Sequence, residues 1–273
     1  MDDKLKVSWD TSILRLVGER LKSEVPSEYE NYIKLDSKGK LEYIKKNANI
    51  LDVGYDKKLL EDVADILHPL LEKVITEEVS KEIVENYFHR FDAAMHNIFE
   101  FRIVLEKYAN SIKPRSFEEE SRLDIPYYLM IVESKFTADV NLLICLLIKS
   151  NVKYYRTRRD GKKEYVTIND LKKIDEETLY NKLTFLKENG FSVISDVCDR
   201  DLRNSIAHMG FIVFENGSVA YENKAIRKVT IITKDDLDTK TEKLLNVCHC
   251  ITESIKQFYG QKYGFTRELS KLE

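Results

Sequence analysis

Glycine and proline are scarce in this chain, 9 and 4 among 273 residues. Sandwiches, barrels and doubly wound sheets need many tight turns and more of both, so these fold classes are disfavoured. Net charge is nearly absent too: 44 Lys and Arg face 47 Asp and Glu, −3 in all. The chain as a whole is no polycation, and any nucleic-acid contact has to come from a local patch. No uninterrupted apolar run exceeds Leu142 to Ile148, too short to cross a bilayer, so no membrane partner is expected. The opening Met1-Asp2-Asp3-Lys4 lacks the apolar run of a secretory signal. Four cysteines, Cys145, Cys198, Cys248 and Cys250, then read as reduced thiols of a cytoplasmic protein. A Gly-rich phosphate loop, a Ser-His-Asp order and a CxxC pair are all missing, and no cofactor is implied.

What is present favours helices. The 43% hydrophobic content can build a core, and the 33% charged residues, rich in Lys and Glu, suit exposed helix faces. Residues 11 to 48 read as short helices with turns near Pro26 and Gly39. From Lys57 to His89, Leu60, Val63, Leu67, Leu70, Val74, Ile83 and Tyr87 recur at steps of three and four, an amphipathic helix. Pro69 is expected to end or kink it near His68. Another helix spans about Asp92 to Asn110, and the stretch from Lys113 to Pro126 breaks the pattern as a domain boundary. Tyr127 to Ser150 reads as a long, largely buried helix. Lys153 to Ile168 reads as a hairpin around Asp160-Gly161. Helices follow over Glu176 to Glu188, stopped by Asn189-Gly190, and over Phe191 to His208. Phe211 to Phe214 and Val219 to Tyr221 flank Asn216-Gly217 as a second hairpin. The last helix opens on Thr233-x-x-Asp236, a capping-box pattern, and Gly260 and Gly264 close it. The expected fold is all-α with one or two small β-hairpins: an N-terminal helical domain over 1–115, then a helical bundle over 116–273.

The run Asp201-Leu202-Arg203-Asn204-Ser205-Ile206-Ala207-His208 sets an arginine, followed by a polar residue, five positions before a histidine at a helix end. This pattern resembles the HEPN superfamily, whose ribonuclease members carry Arg, a polar residue, three residues and His. The resemblance spans about residues 126 to 263; nothing in 1 to 112 belongs to it. It implies a metal-independent endoribonuclease with Arg203, Asn204 and His208 as catalytic residues, working as a homodimer in which two Arg/His pairs meet. It also implies toxin or antiviral-defence roles, with an antitoxin or regulatory protein as a partner. Other members of the superfamily are non-catalytic modules that dimerise or bind nucleotide or protein.

The chemistry stands on its own terms. Metal-free RNA cleavage needs a group that shuttles protons near neutrality, and His is the side chain suited to that. It also needs a fixed cation against the phosphate, which an arginine fork supplies. A spacing of five turns the two side chains about 140° apart on an ideal helix, so they need not converge within one chain. The plain alternatives are an Asp199–Arg203 surface ion pair and a His208 that binds the last helix carbonyls.

A basic stretch precedes this motif. Lys149, Lys153, Arg156, Arg158, Arg159, Lys162 and Lys163 face one acid, Asp160, with Tyr154, Tyr155 and Tyr165 interleaved. Phosphate pairing plus base stacking would make Lys153, Tyr154, Arg156, Arg158, Arg159, Lys162 and Lys163 an RNA-binding set. The alternative is a solvated turn. His89, Asp92 and His96 share one helical face but sit among Phe88, Phe91, Met95 and Phe99, so packing explains their spacing and no metal is assigned. Cys248-His249-Cys250 lies in the last helix, where adjacent positions diverge by 100° and cannot chelate one ion.

Overall fold

The computed structural model describes residues 26–46, 56–75, 79, 83–84, 86–111, 116–158, 160–168, 171–223 and 228–263. Within these, α1 spans Pro26–Tyr32 and α2 Ser37–Lys46. Helix α3 spans Lys57–Val74 and α4 Asn86–Ser111. Helix α5, Phe117–Ile131, passes through one π-helical turn, Val132–Phe136, into α6, Thr137–Lys149. A two-stranded sheet follows, β1 Tyr155–Thr157 and β2 Lys163–Tyr165. Next come α7 Leu171–Glu176, α8 Leu179–Glu188, α9 Ser192–Ser195 and α10 Arg200–Ala207. A three-stranded antiparallel sheet, β3 Phe211–Val213, β4 Val219–Asn223 and β5 Lys228–Ile232, leads into α11, Lys234–Tyr263. The fold is mainly helical with two small antiparallel sheets.

Several helix boundaries depart from the sequence expectation, each for a local reason. Pro69 lies inside α3 and does not end it. The helix runs on to Val74 because Leu67, Leu70, Leu71 and Val74 on both sides of the proline are buried and the helix packs along α11. Burying that stripe outweighs the one hydrogen bond that proline removes. His68 adds a tie, its Nε2 lying 2.9 Å from the Ser254 carbonyl. Likewise α5 starts at Phe117, well before the expected Tyr127. Ser116 caps it, accepting from the Glu119 amide while Glu119 binds back to the Ser116 amide. Glu118, Glu119 and Glu120 thus form its acid first turn, where the helix dipole favours them. Pro126 sits within the helix on an exposed position. Residues on both sides of the stretch around 115 contribute to one buried core, from Leu60 and Val63 to Ile251 and Ile255.

The segment Phe191 to His208 is two short helices, not one. Asp199 breaks the run: its backbone is extended and its side chain accepts from the Leu202 amide at 3.0 Å, so α10 starts afresh there. The capping box of α11 is present, with the Thr233 amide donating to Asp236 and the Asp236 amide to Thr233 Oγ1. That helix continues through Gly260 to Tyr263, and Gly264 lies outside the described residues. The expected second hairpin gains a third strand, β5, whose Val219↔Ile232 to Asn223↔Lys228 register was not foreseen.

Candidate active site

The motif helix α10 packs on α5 and on β4, which fixes it against the bundle. Asp199 anchors its start. Beyond capping the Leu202 amide, Asp199 Oδ2 accepts from Tyr221 at 2.7 Å and from Lys240 Nζ at 3.0 Å, joining α10 to β4 and α11. Its backbone amide donates to the Tyr128 hydroxyl at 3.1 Å, adding α5. Burial would raise the Asp199 carboxyl, but the Leu202 amide, Tyr221 and Lys240 outweigh it and hold the carboxyl below its ordinary range.

Arg203 lies one helical turn further on. Its guanidinium pairs with Glu133 in the π-helical turn, and Nη1 donates to its neighbour Asn204 Oδ1 at 2.9 Å. The Asp199–Arg203 pair that the four-residue spacing allows is therefore not the one formed. A guanidinium has five N–H donors. Glu133 and Asn204 engage at most three, so two stay open on a side chain 25% exposed.

His208 closes the helix and is exposed. Its backbone amide binds the Asn204 carbonyl at 3.1 Å, while its ring makes no hydrogen bond to another described residue. The turn after it satisfies the orphan carbonyls: the Gly210 amide binds Ser205 O at 2.7 Å and the Met209 amide binds Ile206 O at 3.1 Å. This is a Schellman motif, in which the left-handed residue is usually glycine. Here it is Met209, at φ 57°. The ring of His208 is thus presented outward from a turn that satisfies the backbone without it.

Comparison with family models, with curated proteins and with solved structures finds no match for this chain.

The RNA-binding set divides sharply. Tyr154 is 2% exposed, packed on Phe185 with ring centroids 4.7 Å apart, so it offers no face to a base. Arg156 is bound through Nε to both oxygens of buried Glu177, at 2.9 and 3.0 Å. Lys163 pairs with Glu188 at 3.0 Å and lies 4.0 Å from the centre of the Tyr155 ring. Tyr154 therefore has no open face, while Arg156 and Lys163 help fasten the hairpin to the bundle with side chains that stay 43% and 45% exposed. Lys153, Arg158 and Lys162 are exposed, as is the ring of Tyr165, and Arg159 lies outside the described residues. Gly161, at φ 78°, lets the turn reverse so that the Arg158 amide reaches Lys162 O at 2.9 Å.

No group of His, Cys, Asp and Glu among the described residues is placed to hold a metal ion, and the side chains of His89 and Asp92 lie outside them. The cysteines offer no activated nucleophile near α10: burial pushes the Cys198 thiol up to about 12.

Glu133, Tyr221 and Lys240 escaped the sequence reading. One signal for Glu133 existed: it interrupts the mostly apolar Tyr127 to Ser150 run, where a charge needs a reason. Tyr221 and Lys240 carry no such mark, because a tyrosine in a strand and a lysine on a helix are ordinary there.

Proposed function

We propose that this chain is a metal-independent endoribonuclease, with His208 as proton shuttle and Arg203 as phosphate-binding cation, acting as a homodimer. The observation that carries the reading is an exposed imidazole at the end of α10, with no ring hydrogen bond to another described residue, five positions after a guanidinium held in place by Glu133 and Asn204. In the reaction the ribose 2′-oxygen attacks the adjacent phosphorus and the bond to the 5′-oxygen breaks. His208 imidazole accepts the 2′-hydroxyl proton, or imidazolium delivers a proton to the leaving 5′-oxygen. With two copies in one cleft, one imidazole can serve each role. The two open N–H groups of Arg203 face the charge that accumulates on the non-bridging oxygens. Glu133 and Asn204 act as positioning residues that hold the fork still.

A second reading is a non-catalytic module that dimerises or binds nucleotide or protein, and the Glu133–Arg203 ion pair favours it, since it already gives the guanidinium a partner. Incubating the full chain with mixed RNA, with and without EDTA, separates the two. Cleavage that survives EDTA and leaves 2′,3′-cyclic phosphate and 5′-hydroxyl ends supports the enzyme. Intact RNA at micromolar protein supports the module.

A further inference from the structure

We infer that Tyr180 and Arg200 form a stacking subsite for a nucleobase of single-stranded RNA, beside the phosphate-binding Arg203. Arg200 is the first residue of α10, and its guanidinium lies over the ring of Tyr180 in α8, 4.4 Å from the ring centre. Tyr180 is 51% exposed. Neither side chain makes a hydrogen bond or an ion pair with another described residue. The preceding acid does not neutralise Arg200, because the Asp199 carboxylate is taken up by the Leu202 amide, Tyr221 and Lys240. The first turn of a helix disfavours a cation, so nothing in α10 itself asks for an arginine here. A mere strap between helices would lie in a packed seam, yet α8 and α10 are not packed along each other.

Helical geometry ties this pair to the candidate active site. Helix α10 turns Leu202, Ser205 and Ile206 into the bundle. Arg200 and Arg203 stand three residues apart on its other side, about 60° around the helix and about 4.5 Å along it. Asp201 sits about 100° around from Arg200 in the opposite sense, away from Arg203. The stack and the two open N–H groups of Arg203 thus flank one strip of surface that leads on to His208.

The ring sets the class of ligand. Tyr180 covers one face of the guanidinium plane, and no second described ring covers the other. Unstacked bases lie on arginine planes and aromatic rings in this way, whereas a duplex hides its base faces. A carboxylate or a lone phosphate binds a guanidinium at its N–H edge and gains nothing from the plane. The inference deepens the ribonuclease reading by naming what holds a flanking nucleotide, and it rests on that reading for the role of Arg203.

The test is titration calorimetry on the full chain with two probes. One is 2′-O-methyl oligoadenylate, which offers bases but no 2′-hydroxyl to attack, and the other is inorganic polyphosphate, a polyanion without bases. Tyr180→Leu removes the ring, and Arg200→Lys keeps the charge but removes the plane. Each should weaken oligoadenylate binding about tenfold and leave polyphosphate binding as in the wild type. Tyr180→Phe, which keeps the ring, should bind both probes as the wild type does. Unchanged oligoadenylate affinity in Arg200→Lys or in a folded Tyr180→Leu overturns the subsite. An equal loss on polyphosphate also overturns it, since Arg200 would then be a plain cation, and so does a wild type that binds no oligoadenylate. Should Tyr180→Leu lose its circular dichroism, Arg200→Lys carries the test alone. Failure of the two readings is separable. Ring-dependent binding without cleavage of unmodified RNA removes the ribonuclease and leaves the subsite, whereas cleavage at wild-type kcat/KM by both variants removes the subsite alone.

Discussion

Arg203 in α10 is held by Glu133, seventy residues earlier in the chain, in the π-helical turn that joins α5 to α6. A π-turn inserts one residue into a helix and shifts the direction of the side chains after it, and such turns gather at functional sites. The pair is partly exposed, so its worth to stability is small, about 0–1 kcal/mol. Its effect on where the guanidinium points is the larger matter.

Glu133→Gln therefore separates position from stability. The amide keeps one acceptor but loses the charge, and the melting temperature should hardly move. On the ribonuclease reading, kcat/KM on RNA should fall about tenfold, and His208→Ala should cost at least about a hundredfold. Glu133→Gln should retain the pH profile of the wild type and His208→Ala should abolish it. Wild-type cleavage by His208→Ala in EDTA would remove the proposed mechanism.

Asp199 makes a second, pH-dependent prediction. Its carboxyl is held below the ordinary range by the folded structure, burial opposing and the Leu202 amide, Tyr221 and Lys240 prevailing. For a lowered carboxylate the stability is fully present above the unfolded value, about 4, and is lost as pH falls through the lower folded value. Asp199→Ala should cost about 2–3 kcal/mol near neutrality, from the lost cap and two stranded donors. In urea unfolding, Asp199→Asn should show a flatter fall of stability below about pH 4 than wild type. An equal slope would mean that folding does not lower the Asp199 carboxyl.

These ties show how far the sequence reaches. The stripe Leu60 to Val74 announced α3, and Thr233-x-x-Asp236 announced the start of α11, because periodicity and caps act over one or two turns. The Arg203, Asn204 and His208 spacing was visible for the same reason. Glu133, Tyr221 and Lys240 arrive from distant elements, and no local pattern states which acid an arginine will meet. Asp199 was visible only as an ion-pair candidate, since its extended backbone is set by the groups that hold it. Tyr154 was misread because a tyrosine among cations looks like a stacking platform, whereas Tyr154 and its neighbour Tyr155 both pack their rings on Phe185 of the distant helix α8.

The buried core makes a third prediction. Lys135 and Asp139, both buried, form an ion pair in which Tyr87 also donates to Asp139 at 2.7 Å. Burial pushes the Asp139 carboxyl up, and Lys135 opposes that rise. Lys135→Met should cost about 3–5 kcal/mol at neutral pH because it leaves the carboxylate without its cation. Asp139 in this variant stays buried by taking up a proton. Its folded value is then raised, so the variant should regain stability as pH falls from neutrality towards about 5. Lys135→Met with Asp139→Leu should recover most of the loss, read by guanidinium unfolding.

The last prediction concerns the basic hairpin, whose cations divide by their partners. Arg156 and Lys163 are tied to Glu177 and Glu188, while Arg158 and Lys162 are exposed on the turn. If the turn holds the RNA backbone, Arg158→Glu with Lys162→Glu should weaken binding without changing the melting temperature. Each lost phosphate contact to a single strand should also lower the slope of log affinity against log salt by about 0.7. The maximal rate on saturating short RNA should be unchanged, because Arg203 and His208 are untouched. Arg156→Glu should behave in the opposite way. It sets a second carboxylate against buried Glu177, loosens β1 from the bundle and lowers the melting temperature. Fluorescence anisotropy at several salt concentrations, beside thermal melts of both variants, resolves the two roles. A salt slope unaltered by the Arg158 and Lys162 changes would make the turn a solvated loop with no part in RNA binding.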